Sequence, residues 1–389
     1  MGIREKSRAV IAGVAVGDAL GGATEGWSPE QIRQRWGGPV TGIVEPYYSD
    51  WKTARPIAPY HKGDGHVTDD TLMTRILIDV YASVRRHLTA YDMASEIVPR
   101  LIGEEVWIPE LEESRIPLQR LFLAEKWIVT RLHYGHIDPR EAGVGNIVNC
   151  GAAMYMAPVG IVNAGDAAGA YAEAIDLSGA HQSSYGREAA GVFAAAVAQA
   201  MVAESIDEVV DCAIELSHDG TRQAIIAVAE CARSLRSAGL NSTNLADINS
   251  ALRDAIRPYD TVGDAYREMS SDARRPSRTK AIEELPVALG LSLVYSGNTR
   301  DAIVCAVNYG RDSDSIAVMT AAVCAGLTGL ESIPKDWIDD IGAASQLDIL
   351  GLGDKIADAA RDIIEADVAR LRTLLETKLN FETVRGVLS

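Results

Sequence analysis

The chain has 389 residues, with 37 Lys plus Arg against 54 Asp plus Glu, a formal charge of −17 and a pI near 4.9. So acidic a surface argues against nucleic acid and anionic membranes as partners, because both are held by clustered basic side chains and only one short cluster, Arg274, Arg275, Arg278 and Lys280, is present. With 47% apolar residues and a mean hydropathy of +0.01, the chain can bury a large core and is globular rather than disordered.

At the N-terminus, Arg4, Lys6 and Arg8 precede an apolar run over residues 9–17 and imitate a secretory leader. The run is short and Asp18 interrupts it, so it reads as part of a first helix over 7–22. Apolar spacings of three and four predict further helices over 71–84, 90–102, 187–203, 206–217, 221–238, 281–295, 299–309, 315–328 and 354–378. Ser28-Pro29 and Thr68 look like helix starts, and Gly220, Gly239, Gly297, Gly310 and Gly329 fall where helices would end. The most apolar stretches, 189–202 and 316–327, are shorter than about 18 unbroken apolar residues and contain Gln or Thr, so they read as buried helices, not membrane spans. Period-2 alternation is nearly absent. The expectation is an all-α protein, with residues 1–389 forming a single helical domain, since neither a repeat nor a Pro/Gly/Ser-rich linker divides the chain.

Residues 37–67 and 104–118 break the helical pattern and carry prolines, aromatics and acids, which suits loops bordering a site. The helix from Lys355 onward could be a packing helix or an oligomer contact, leaving monomer and homo-oligomer both open. Cys150, Cys212, Cys231, Cys305 and Cys324 are odd in number, widely separated and without CxxC spacing; free thiols in a reducing cytoplasm are expected, with no zinc or redox motif from cysteine.

Three stretches concentrate oxygen ligands near helix ends. Gly17–Glu25 leaves the first helix through glycines and presents Glu25 on a loop; alone, it is an ordinary glycine cap followed by an acid. Thr68-Asp69-Asp70-Thr71 opens an amphipathic helix, and a Thr cap with acids in the first turn is equally ordinary. Asn308–Ser315 is denser: Asp312, Asp314 and Ser315 place hard oxygens within one turn between apolar helices, where buried acids would repel one another unless a cation such as Mg²⁺ or Mn²⁺ joined them. Thr68, Asp69, Asp70, Asp312, Asp314 and Ser315 together could hold two divalent ions.

The ordered set Gly17-Asp18-Ala19-Leu20-Gly21 with Glu25, Thr68-Asp69-Asp70-Thr71, Gly151-Ala152-Ala153-Met154 with Pro158, His181, and Gly310–Ser315 resembles the ADP-ribosylglycohydrolases. These include ADP-ribosyl-arginine and ADP-ribosyl-serine hydrolases and the glycohydrolase that reactivates dinitrogenase reductase. The resemblance covers most of the chain, from about residue 9 to residue 330. It implies an all-α orthogonal helical bundle with a binuclear Mg²⁺ centre held by Thr68, Asp69, Asp70, Asp312, Asp314 and Ser315, Glu25 as a catalytic acid near it, and Asn149, Gly151 and His181 lining the ribosyl pocket. Glu25 and Asp70 are the candidates for moving protons during cleavage of a ribosyl C1–N or C1–O bond. The implied substrate is an ADP-ribosylated protein, with a small ribosylated metabolite such as a nucleoside or nucleotide as the rival. Two departures bear on that choice: Tyr155 stands where the family carries Arg, and Arg311 stands where it carries Gly, which would add bulk and charge beside the metals. A non-catalytic binding or structural protein is the alternative from another class, and a metal-dependent phosphohydrolase ranks last.

Overall fold

A computed structural model of the chain describes residues 1–54, 59–260 and 282–375. Among these, eighteen α-helices follow in order: α1 (Ile3–Gly22), α2 (Pro29–Trp36), α3 (Trp51–Ala54), α4 (Asp69–Val84), α5 (Ala90–Asp92), α6 (Val98–Gly103), α7 (Leu123–Val129), α8 (Ala157–Val162), α9 (Ala167–Ser178), α10 (Ser184–Ala200), α11 (Ile206–Leu216), α12 (Asp219–Ser237), α13 (Leu245–Ile256), α14 (Glu284–Val294), α15 (Thr299–Tyr309), α16 (Ser313–Thr328), α17 (Lys335–Ala344) and α18 (Ile349–Leu375). The one described sheet is an antiparallel pair, β1 (Val106–Ile108) and β2 (Glu113–Arg115), with Val106 opposite Arg115. The fold is all-α, as the residue pattern predicts, and no described helix is long and apolar enough to cross a membrane.

Every residue of α1 from Ala9 to Gly22 is buried, so this helix runs through the protein instead of along its surface. It lies against α16, α18, α17, α15 and α4. Gly13, Gly17 and Gly21 recur every four residues and so share one stripe of α1. A Cβ built on them would sit 2.7 Å from the Ala321 carbonyl oxygen, 2.5 Å from that of Ala317 and 2.5 Å from the Asp314 Cα. The backbones of α1 and α16 therefore touch directly, and the stripe ends at the acidic start of α16. On the same helix Asp18 is fully buried, and its carboxylate accepts from the amides of Thr68 (2.9 Å) and Thr71 (3.0 Å), fastening the start of α4 to α1.

Several elements differ from expectation. The helix predicted over 90–102 is divided by a π-helical turn, Met93–Ile97, between α5 and α6. Gly220 is the second residue of α12, not a helix end; Gly239, Gly297, Gly310 and Gly329 do have positive φ at ends. Helices α7, α8, α9, α13 and α17 lie where no periodicity stood out, being short or Ala-rich throughout. The basic cluster Arg274–Lys280 lies outside the described residues.

Candidate active site

The starts of α4 and α16 meet beside the end of α1 and bring the acids of three separate sequence stretches together. One carboxylate oxygen each from Asp18, Asp70 and Asp314 lies within 4.8 Å of the other two. The Ser315 hydroxyl donates to Asp70 Oδ1 at 3.1 Å, and the Thr68 hydroxyl lies 3.4 Å from Asp70 Oδ2. Burial, followed by the charges of Asp314 and Asp18, holds the Asp70 carboxyl well above the usual carboxylate range. Burial and the neighbouring Glu25 do the same to Asp314, although Lys62 opposes them. Asp18 is pushed up to about 6 by burial in spite of hydrogen bonds from Thr71 and Thr68, and its Oδ1 has no hydrogen-bond partner. Asp312 stands in an adjoining group with Cys150 and Glu284: it accepts from the Cys150 thiol at 3.2 Å and is raised to about 6 by burial and by Glu284 and Glu25. Clustered carboxylates that cling to protons, with a buried oxygen still unsatisfied, are a donor set that fits a hard divalent cation.

Two cations flank this cluster, Lys62 from the first irregular segment and Arg120 from just beyond the second. The Lys62 ammonium forms an ion pair with Glu25 and lies 3.5 Å from Asp314 Oδ2. Burial alone would lower its pKa, but Glu25 and Asp314 more than offset this and keep it charged. Asp69, in the first turn of α4, turns its carboxylate to the Arg120 guanidinium at 2.9 Å. Arg120 also pairs with buried Glu110 and lies over the Tyr60 ring, 4.5 Å from its centroid. Thus Thr68, Asp70, Asp314 and Ser315 converge closely, Asp312 adjoins them, and Asp69 is held to one side.

Above the acids lies a cleft lined by Glu25, Trp27, Tyr47, Tyr48, Trp51, Tyr60 and Lys62. Trp27 and Tyr47 stack with ring centroids 3.5 Å apart, and Tyr48 meets Trp27 edge-on at 5.4 Å. A more open hollow lined by Leu118, Gln119, Lys126, Val129, Thr130 and Tyr134 carries no carboxylate, so the aromatic cleft is the candidate site.

Asn149 caps the 3₁₀ turn Cys150–Tyr155, its Oδ1 accepting from the Gly151 amide (3.1 Å) and Gln182 Nε2 (2.8 Å). This turn packs on α4 and α16, which places Asn149 and Gly151 close behind the Asp312 group. His181 is fully buried behind the turn: its Nδ1 is 3.0 Å from the Tyr155 hydroxyl and its Nε2 3.5 Å from Glu125. Tyr155 therefore fills core space beside His181. Arg311 also behaves otherwise than its position suggests. Its backbone is left-handed (φ 58°), as a glycine's would be, and its guanidinium turns away from Asp312 and Asp314 onto Glu283 (2.8 Å) and Asp260 (2.9 Å). The backbone of Arg311 pairs with Gly26 and Trp27, which ties the Glu25 loop to the start of α16.

The family model described as ADP-ribosylglycohydrolase matches residues 1–371. The chain belongs to the ADP-ribosylglycohydrolase family. Among its relatives, the uncharacterized protein YegU of Escherichia coli (strain K12) is 23% identical over 88% of this chain and 94% of its own length. The ADP-ribosylarginine hydrolase Tri1 of Pseudomonas putida (strain GB-1) is 24% identical over 93% of this chain and 81% of its own. A solved structure described as an ADP-ribosylglycohydrolase-related protein complex shares the fold, with a TM-score of 0.55 and 16% identity over 92% of this chain and 99% of that one. Membership of the family supports glycohydrolase activity in the broad sense.

Proposed function

We propose that this family member is a divalent-metal-dependent glycohydrolase that cleaves the bond between an ADP-ribosyl group and its acceptor. The observation that carries the reading is the convergence of Asp18, Asp70 and Asp314, buried and within 4.8 Å of one another, below a cleft that also presents Glu25. Thr68, Asp70, Asp312, Asp314 and Ser315 would hold the ions, with Asp69 joining them only by leaving Arg120. An all-oxygen set selects Mg²⁺ or Mn²⁺, which supplies Lewis acidity and orients ribose hydroxyls and water. Asp18 anchors α4 so that Thr68 and Asp70 face α16. Glu25, partly open to the cleft and paired with Lys62, is placed to take a proton from water, and Asp70 is the second carboxyl able to exchange one. The stacked Trp27 and Tyr47, with Tyr48 across them, offer a flat aromatic wall to the planar part of the substrate.

ADP-ribosylated arginine on a protein is the first substrate to try, because a relative aligned over nearly the whole chain is named for that activity. Tyr155 and Arg311 do not argue for a small metabolite instead, since both side chains turn into the core. Free cysteines among the described residues suit a cytoplasmic setting. The test is release of the ribosyl product, ADP-ribose from ADP-ribosyl-arginine and ADP-ribosyl-serine or ribose and its phosphates from nucleosides and nucleotides, with Mg²⁺, with Mn²⁺ and with chelator. Metal-dependent release, abolished in Glu25→Gln while the metal still raises Tm, is expected. Silence across the panel, together with a Tm indifferent to both metals, overturns the reading.

A further inference from the structure

Away from the acid cluster, the two irregular segments meet at a second group of metal-binding side chains. One ligand atom each from His61, His66 and Glu112 lies within 4.8 Å of the other two. His61 Nδ1 is 2.7 Å from Glu112 Oε1, and His61 Nε2 is 2.8 Å from Asp64 Oδ2. A neutral imidazole carries one N–H, so one of these contacts sets a ring lone pair against a carboxylate, unless the ring is doubly protonated or a cation lies between. His66 settles its own tautomer: Nδ1 is 3.2 Å from the His61 carbonyl oxygen, which can only accept, so Nδ1 bears the hydrogen and Nε2 the lone pair. Asp64 on His61 Nε2 and the carbonyl on His66 Nδ1 are the outer partners that metal-ligating histidines commonly have, each leaving the other nitrogen available.

We propose that His61, His66 and Glu112 form a second metal site, for a borderline ion such as Zn²⁺, that clips the segment before α4 to the turn between β1 and β2. The donor chemistry separates it from the acid cluster. Two imidazoles and one carboxylate select Zn²⁺ over Mg²⁺, whereas the all-oxygen cluster prefers the reverse. Donors on a tetrahedral zinc sit roughly 3.3 Å apart, so His61 Nδ1 and Glu112, now 2.7 Å apart, need open only slightly and His66 need draw in by no more than about 1.5 Å. The rings are held for this: His61 stacks on Trp51 with centroids 4.8 Å apart and meets His66 edge-on at 4.3 Å. The backbone amide of His61 already donates to the Glu110 carbonyl at 2.9 Å, so the two segments are in register before any ion arrives. Lys52, 3.7 Å from the other Glu112 oxygen, is a competing positive charge that zinc must outbid or displace. Lys62, next in sequence to His61, enters the acid cluster; the clip therefore fixes one side of the cleft. The site stands on its own side chains and does not rest on the glycohydrolase reading.

The experiment is a Zn²⁺ titration of the metal-stripped full chain against a chromophoric chelator, with Mg²⁺ at saturation to fill the acid cluster. One equivalent of tightly bound zinc is expected. It should persist in Asp314→Asn, weaken about 10- to 100-fold in Asp64→Asn, and weaken further in His66→Ala and in Glu112→Gln. Co²⁺ in place of Zn²⁺ should give visible d–d bands that His66→Ala removes. Circular dichroism verifies that each variant is folded, and the Mg²⁺-dependent rise in Tm does so for those that keep Asp314; Glu112→Gln, on an exposed turn, serves if His66→Ala is not. Zinc that binds His66→Ala and Glu112→Gln as tightly as the parent, or no tight equivalent at all, overturns the proposal. So does an NMR spectrum in which both His61 ring nitrogens stay protonated with Zn²⁺ present, since that would make the ring a doubly paired imidazolium.

Discussion

Arg311 and Asp312 are neighbours in the chain, yet their side chains enter two buried acidic regions that are neutralised in opposite ways. On the Arg311 side, Glu283 is 1% exposed and accepts from Arg253 (2.6 Å), Arg311 (2.8 Å) and the Tyr309 hydroxyl (2.7 Å), while Asp260 shares Arg311. On the Asp312 side, Asp18, Asp70, Asp312 and Asp314 face one another with Lys62 as the cation at their edge, and all four hold their protons more tightly than free carboxylates. Burial is similar in the two regions, so burial does not distinguish a structural acid from a working one. The balance of charge does: among the described residues the first region sets arginines against its acids, and the second gathers four acids at the edge of one lysine, the arrangement that the proposed cation would complete.

The largest effect expected from breaking this contrast is at Asp314. Asp314→Asn should abolish the metal-dependent rise in Tm and lower glycohydrolase turnover by about 10²- to 10⁴-fold, while the metal-free protein melts higher because a repelling charge is gone. A metal-free Tm that falls instead would show the cluster to be self-sufficient. Glu283→Ala should do the reverse. It removes from Arg253 and Arg311 one of the two acids they share, leaving Asp260, and costs about 3–5 kcal/mol by denaturant unfolding, while the metal-dependent shift survives. Gly17→Ala comes next, at about 1–3 kcal/mol, because the new methyl presses on the Ala317 carbonyl where no side chain can yield. A smaller effect tests a third buried acid, Glu173, whose partner can titrate. His87 is raised to about 9, chiefly by its hydrogen bond to Glu173 and with help from Asp367, against the pull of burial. A folded-state value above the unfolded one means that the pair stabilises fully below about 6.5 and fades as pH rises through about 9. The Tm difference between the parent and His87→Gln should follow that course and correspond to less than about 1 kcal/mol, since His87 is partly solvated.

What could be read from the sequence followed the range of the interactions. Thr68, Asp69 and Asp70, and likewise Asp312, Asp314 and Ser315, were visible because each set lies within one helical turn and local density is itself a signal. Asp18 carries no local sign of a place among the acids, since what marks it is a pair of hydrogen bonds to amides fifty and more residues away. Lys62, Arg120 and Glu110 come from segments without periodicity, where sequence points to a loop but not to which side chain turns inward. His61 and His66 lie in a segment of the same kind, where two histidines five residues apart beside Asp64 are a weak local signal. Arg311 misled because its identity suggested bulk at the site, whereas its left-handed backbone sends the side chain elsewhere. The long apolar helices followed expectation because their burial is written into composition, and the short ones did not because tertiary packing decides them.

The glycine stripe of α1 has a consequence for how the protein breathes. A crossing made of backbone against backbone contains no rotamers, so it cannot loosen by a side chain hopping aside, and water has no gap through which to enter. Amide hydrogens along Val14–Gly21 and Ala317–Ala321 should then exchange only when the whole protein opens, the slowest class in the molecule. Because that seam ends at Asp314, the distance between the acids of α16 and those anchored to α1 is about as rigid as any in the chain, and the freedom a substrate requires must come from the aromatic side of the cleft.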